Sequence, residues 1–252
     1  MSVPFKASSH FNVEDANLIP RVSHKKRKEF IKSKLPKRYI FVPFQVPHDT
    51  QVVCYSPWLN SMEMLYSEVM NAVEKLNDPD LKVVFKEHPS WHKHYTHLYK
   101  KHPQAIFANG NATADLIENA QAVITINSTV GLEALLLAKH VITLGQACYN
   151  IDDLVLHANS RQELFERLLQ LDQGWQLNLA LRDQFFGYLK HVYTVEGRWQ
   201  DCSTQHAKAV EERLIGLDVF SQQLNNVKDN NEECSNLPMV ERAHKRFKTR
   251  YL

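Results

Sequence analysis

Ala122-Val123-Ile124-Thr125-Ile126-Asn127-Ser128-Thr129-Val130-Gly131-Leu132-Glu133-Ala134-Leu135 changes its periodicity halfway along. Residues 122–126 are a short unbroken apolar run rich in β-branched side chains, the pattern of a strand buried on both faces. Residues 130–138 then read as a helix, with Asn127, Ser128 and Thr129 as the polar hinge between the two. A buried strand that hands over to a helix is half of a βαβ unit, and the same alternation continues in both directions. Upstream, 39–44 reads as a strand, 61–76 as an amphipathic helix, 81–86 as the next strand, 105–108 as a short strand and 112–119 as a helix. Downstream, 140–144 is a further strand, and helices are predicted at 160–171, 176–192 and 203–217. The first of these is opened by a capping box of Ser160 and Glu163. The predicted fold class is α/β, a doubly wound parallel sheet of Rossmann-like type with C-terminal helices.

A chain of 252 residues can bury one good core and part of a second. The pattern divides it into a basic N-terminal arm (1–37), a Rossmann-like domain (38–200), a C-terminal helix (201–219) and a tail (220–252) too polar to bury a core, which is expected to be mobile. The basic runs at 25–28 and at Lys32 and Lys34 fit a solvated helix face better than an anionic lipid surface. A formal charge of +2 is too mild to single out a nucleic-acid partner. The four cysteines, at 54, 148, 202 and 234, have neither Cys-x-x-Cys pairing nor zinc-ligand spacing, so they read as reduced thiols in a cytoplasmic protein. Thirteen histidines invite a metal, yet the His88/His92 pair is interrupted by Pro89 and cannot share one helical face, so no metal is expected. The amino terminus lacks an apolar signal core, and no apolar run is long enough to span a bilayer.

In an open parallel sheet, ligands bind beyond the carboxyl ends of the strands. Three of those ends carry chemistry. Asn127, Ser128, Thr129 and Gly131 bring hydroxyls and first-turn N–H groups to one point, a cradle for phosphate, although Ser and Thr at a helix start also serve as ordinary caps. Glu133, one turn on, is in reach of a ribose, and an exposed helix glutamate explains it equally well. Lys86, Glu87, His88 and Pro89 close the second strand. Proline keeps His88 extended at the rim, where an imidazole can neutralise a phosphate, while Lys86 and Glu87 alternate faces, so that one of the two is expected to point into the same cleft. Gln45, His48, Asp49 and Gln51 follow the first strand. Asp49 suits a tight turn, and it equally supplies a carboxylate able to act as nucleophile or base at an anomeric carbon.

Taken in order, Gln45-Val46-Pro47-His48-Asp49, Lys86-Glu87-His88-Pro89 and Ile126-Asn127-Ser128-Thr129-Val130-Gly131-Leu132-Glu133 resemble the bacterial capsule polysaccharide biosynthesis family of Kdo transferases over about residues 38–200. The resemblance implies one half of a GT-B-type glycosyltransferase using a CMP-Kdo donor, without cofactor or metal. It implies that His88 contacts the CMP phosphate, that Ser128 and Thr129 supply phosphate-binding hydroxyls, and that Asp49 is the nucleophile of a retaining reaction. It further implies a lipid-linked or polysaccharide acceptor and a location in the cytoplasm or at the inner face of its membrane. A GT-B enzyme needs two such halves, and only about forty residues precede the first strand. The chain is therefore expected to be a truncated frame retaining a remnant of the acceptor domain, a subunit served by a separate acceptor-domain or capsule-assembly protein, or a noncatalytic nucleotide binder. A UDP-sugar epimerase-like protein of GT-B-type fold is the remaining alternative.

Overall fold

The computed structural model describes residues 30–91 and 93–229. The basic run at 25–28, His92, Cys234 and the tail beyond 229 lie outside the described residues. Two compact units divide the chain between Arg182 and Asp183.

The first unit is built on a sheet of six strands: β1 (Tyr39–Pro43), β2 (Lys82–Lys86), β3 (Ala105–Phe107), β4 (Ala122–Thr125), β5 (His140–Thr143) and β6 (Leu156–His157). Their order is β3-β2-β1-β4-β5-β6, with every pair parallel. This is the doubly wound arrangement predicted, and its switch point lies between β1 and β4. Both strands are buried along their whole length, which is why they read as continuous apolar runs rather than alternating ones. The crossovers carry α1 (Thr50–Tyr55), α2 (Met62–Lys75), α3 (Thr113–Glu118) and α4 (Thr129–Leu136), and α5 (Arg161–Asp172) follows the last strand. Helix α2 buries Leu65, Val69 and Val73 in the core beside Leu164 and Leu168 of α5.

Three local features depart from the sequence reading. Residues 50–55 form helix α1, started by an Asp49 cap and burying Val52, too short for its apolar spacing to register. Strand β6 has two residues, below any detectable period. The end of the predicted arm is fastened down: the Ser33 N–H donates to Asn111 Oδ1 at 2.9 Å, Asn111 Nδ2 returns a bond to the Ser33 carbonyl at 3.0 Å, and Ser33 Oγ donates to the Phe107 carbonyl at 3.0 Å. A Cβ on Gly110 would lie 2.6 Å from the Phe30 and Ile31 carbonyls, so this seam requires glycine.

Helix α6 (Leu179–Tyr188) spans the point of division. The second unit then continues through a wide turn at Leu189–Tyr193 to α7 (Thr204–Leu214) and α8 (Val219–Asp229). Arg213 organises it, donating to the Val192 and Tyr193 carbonyls at 3.0 Å, pairing with Asp218 and lying over the Phe220 ring. Residues 220–229, expected to be part of a mobile tail, belong to α8, which is helical because Asp218 caps it at the Ser221 N–H and Phe220 anchors it.

Candidate functional site

Past Pro43, strand β1 turns sharply: the Asp49 N–H donates to the Val46 carbonyl at 3.0 Å, and the Asp49 carboxylate accepts the Gln51 N–H at 2.7 Å as the cap of α1. Across the switch point, β4 ends in Asn127 and Ser128, whose hydroxyl caps α4 by accepting the Val130 N–H at 3.2 Å. From β2 comes His88. Its Nδ1 accepts the Ser90 N–H at 3.2 Å, which leaves the proton of the neutral imidazole on Nε2. These three strand ends surround a cavity of about 350 Å³, lined by Asp49 and Gln45, by His88, and by Asn127, Ser128 and Thr129, and closed by Cys148 and Tyr149 from the segment after β5.

The residues predicted for the site thus separate into three groups. Asp49, His88, Ser128 and Thr129 line the cavity with polar atoms available to a guest. Gln45 and Asn127 also line it, yet they are committed to each other. Gln45 Nε2 donates to Asn127 Oδ1 at 3.0 Å, and Asn127 Nδ2 donates to the Gln51 carbonyl at 2.7 Å. Both side chains are buried, so their amides join β1, β4 and α1 rather than waiting for a ligand. The third group lies outside the lining. Lys86 is buried, with Nζ donating to the Asn109 and Asn111 carbonyls at 2.9 and 2.6 Å. Glu87 is buried too, accepting the Tyr95 N–H at 2.7 Å and the Tyr99 hydroxyl at 2.9 Å, with His94 Nδ1 2.7 Å from its other oxygen. This web holds the strand end from which His88 and Pro89 emerge. Gly131 is buried on the first turn of α4, and Glu133 is half-buried on the same face as Thr129, one turn deeper.

The cavity's electrostatics are mixed, a helix amino end standing beside the Asp49 carboxylate. The amino end of α4 presents its partial positive charge at the cavity. Burial lowers the His88 imidazole below its ordinary value, with the Asp49 carboxylate pulling the other way. Burial alone raises the Glu133 carboxyl and is the main cause raising the Cys148 thiol. Among the described residues, no three His, Cys, Asp or Glu side chains converge as metal ligands, and no helix is long and apolar enough to cross a membrane. A larger cavity of about 420 Å³ lies at the amino ends of the strands, beside Arg38, His140 and Trp175. Arg38 there is already paired with Asp78 and Asp172 and bonded to Gln121. Sequence reasoning missed Cys148 and Tyr149, because no motif marks them and only the return of β5 to the switch point brings them in.

The sequence model of a family described as capsule polysaccharide biosynthesis protein matches residues 16–169. Protein FixF of Sinorhizobium fredii is 45% identical over 184 residues, covering 73% of this chain and 45% of that protein. The capsule polysaccharide export protein KpsS of Escherichia coli is 27% identical over 182 residues, 67% of this chain and 44% of that one. The chain therefore spans less than half the length of these two relatives. Among solved structures, the β-Kdo 2,7 transferase KpsC of Thermosulfurimonas dismutans aligns at 24% identity with a TM-score of 0.42, covering 61% of this chain and 50% of that one. The UDP-GlcNAc 2-epimerase of Methanocaldococcus jannaschii, in complex with UDP-GlcNAc and UDP, aligns at 15% identity and a TM-score of 0.43, covering 71% and 50%. Likenesses this distant carry no weight for substrate or reaction.

Proposed function

Because the chain belongs to the capsule polysaccharide biosynthesis family, we propose that its cavity binds the nucleotide of a CMP-linked acidic sugar, Kdo or a relative, and serves a glycosyltransferase reaction toward a lipid-linked or polysaccharide acceptor. The observation that carries this reading is the convergence on one cavity of a helix amino end, a neutral imidazole with Nε2–H available, and a carboxylate. The first two suit a phosphate leaving group. The third suits an anomeric carbon.

In the proposed sequence, the free oxygen of the Asp49 carboxylate attacks the anomeric carbon. The bond from that carbon to the CMP phosphate breaks, and its electron pair leaves with the phosphate, which His88 and the α4 amino end receive. An acceptor hydroxyl then displaces Asp49, giving net retention through two inversions. The residue that removes the proton of that hydroxyl is assigned to no group in this cavity. No metal or cofactor enters the scheme, and the donor implies a cytoplasmic setting.

One observation favours a second reading. Asp49 is exposed and already spends one oxygen as a helix cap, as expected of a noncatalytic nucleotide binder whose aspartate is structural. Asp49→Asn separates the two, because asparagine caps a helix as well as aspartate and so leaves α1 intact. In the full chain together with whatever acceptor half it works with, the expected outcome is loss of transfer with unchanged CMP affinity. Unaltered turnover eliminates the nucleophile, and failure of CMP to bind in calorimetric titration eliminates the donor assignment. A preference for UDP-sugars over CMP would move the protein toward the epimerase-like alternative.

A further inference from the structure

Tyr149 is almost fully buried, and its hydroxyl donates to the main-chain carbonyl of Ser128. The same carbonyl accepts the Gly131 N–H at 3.0 Å. Both lone pairs of that oxygen are thereby taken, and the peptide plane joining Ser128 to Thr129 is held from behind. In a trans peptide the C=O and the N–H point in opposite directions. A Ser128 carbonyl drawn back along α4 therefore turns the Thr129 N–H outward, toward the cavity that Thr129 lines. The next N–H, of Val130, is already consumed by Ser128 Oγ. Since that hydroxyl oxygen accepts from Val130, its own proton is free to point outward as well. The cradle thus reduces to one backbone N–H, the Thr129 hydroxyl and the Ser128 hydroxyl.

Gly131 belongs to the same device. A Cβ there would overlap the Tyr149 hydroxyl and sit 2.7 Å from Cζ of its ring. Glycine is required by the tyrosine, not by backbone conformation, since the residue lies within a regular helix turn. Burial, with a further push from neighbouring Cys148, raises the Tyr149 phenol far above its ordinary value, so it remains a neutral donor at any working pH.

We propose that Tyr149 is a positioning residue for the anion cradle: it orients the Ser128–Thr129 peptide so that the Thr129 N–H meets the phosphate of a bound nucleotide, and Gly131 is the space it needs. This rests on the nucleotide reading of the cavity and deepens it. A residue that acts on the phosphate alone has a signature that a merely structural residue lacks, because its loss weakens nucleotide and spares nucleoside.

The test is calorimetric titration of the full chain, wild type and Tyr149→Phe, with CMP, UMP, cytidine and uridine, alongside thermal unfolding. Loss of one hydrogen bond to an oriented peptide predicts about a five- to tenfold weaker affinity for the preferred nucleotide, with the nucleoside unchanged. Gly131→Ala, whose methyl pushes the ring aside, should reproduce that selective loss if Tyr149→Phe proves too unstable to titrate. Equal affinity of wild type and both variants for nucleotide overturns the proposal, as does an equal loss for nucleotide and nucleoside. If wild type prefers UMP and the selective loss persists, the cradle assignment stands while the CMP donor reading fails. If wild type binds no nucleotide, the reading on which the proposal rests fails first.

Discussion

At neutral pH the His88 imidazole stands in the cavity without charge, because burial lowers it by more than the Asp49 carboxylate restores. A bound phosphate reverses the balance, since an adjacent anion favours the protonated ring. Binding is then linked to proton uptake, and affinity strengthens as pH falls from above neutrality, levelling off only where the free imidazole itself charges, below its ordinary value. The phosphate titrates in the same range, with a second pKa near 6, so the informative quantity is the difference between proteins. CMP titrations of wild type and His88→Gln in buffers of different ionisation enthalpy should show proton uptake in the first and its loss in the second. Equal uptake in both would remove His88 from the phosphate. At this scale the sequence was most informative about strand-end polar residues and least about their direction. Asp49, His88, Ser128 and Thr129 reach the cavity as their motifs imply. Lys86 and Glu87, in the same motif, turn into the fold to satisfy Asn109, Asn111, Tyr95 and Tyr99, partners 8 to 25 residues along the chain that no helix or strand period reveals.

Elements were legible where a cap and a period coincide. Helix α5 is such a case: Ser160 Oγ accepts the Glu163 N–H at 3.2 Å, and Leu164 and Leu168 carry its buried face. The reciprocal half of the predicted capping box is displaced by one residue, since the Glu163 carboxylate accepts the Asn159 N–H at 2.8 Å rather than that of Ser160. Helix α5 also brings Arg161 onto the buried carboxylate of Glu68 in α2, in a two-pronged contact at 2.6 Å. A weakened cap therefore loosens a pairing between helices as well as one turn. Ser160→Ala is expected to cost about 1 kcal/mol, a fall of roughly 2–4 °C in the midpoint of a unit this size, read by thermal unfolding monitored by circular dichroism. CMP affinity should not move, since α5 contributes nothing to the cavity lining. Where period and cap fall out of step, the sequence was silent. The six residues of α1 complete no apolar repeat, and β6 exists only because β5 offers it an edge.

For the molecule as a whole, every residue lining the cavity falls between Gln45 and Tyr149, inside the first unit, as do the bonds that hold them: Gln45 to Asn127, Ser90 to His88 and Tyr149 to Ser128. Among the described residues, the main core cluster of that unit runs from Ile40 to Leu168. On the proposed function, nucleotide binding should therefore be a property of the first unit alone. A fragment of residues 30–182 is expected to fold cooperatively and to bind CMP within about twofold of the full chain, a difference under 0.5 kcal/mol. Circular dichroism melting and calorimetric titration of the two proteins side by side decide the matter. A fragment that melts as a folded domain but binds CMP tenfold more weakly would show that residues outside 30–182 contribute to the site. Equal binding would assign the second unit to some other task, with the exposed Leu214 at the end of α7 and Ile215 and Leu217 after it as the first place to look for it.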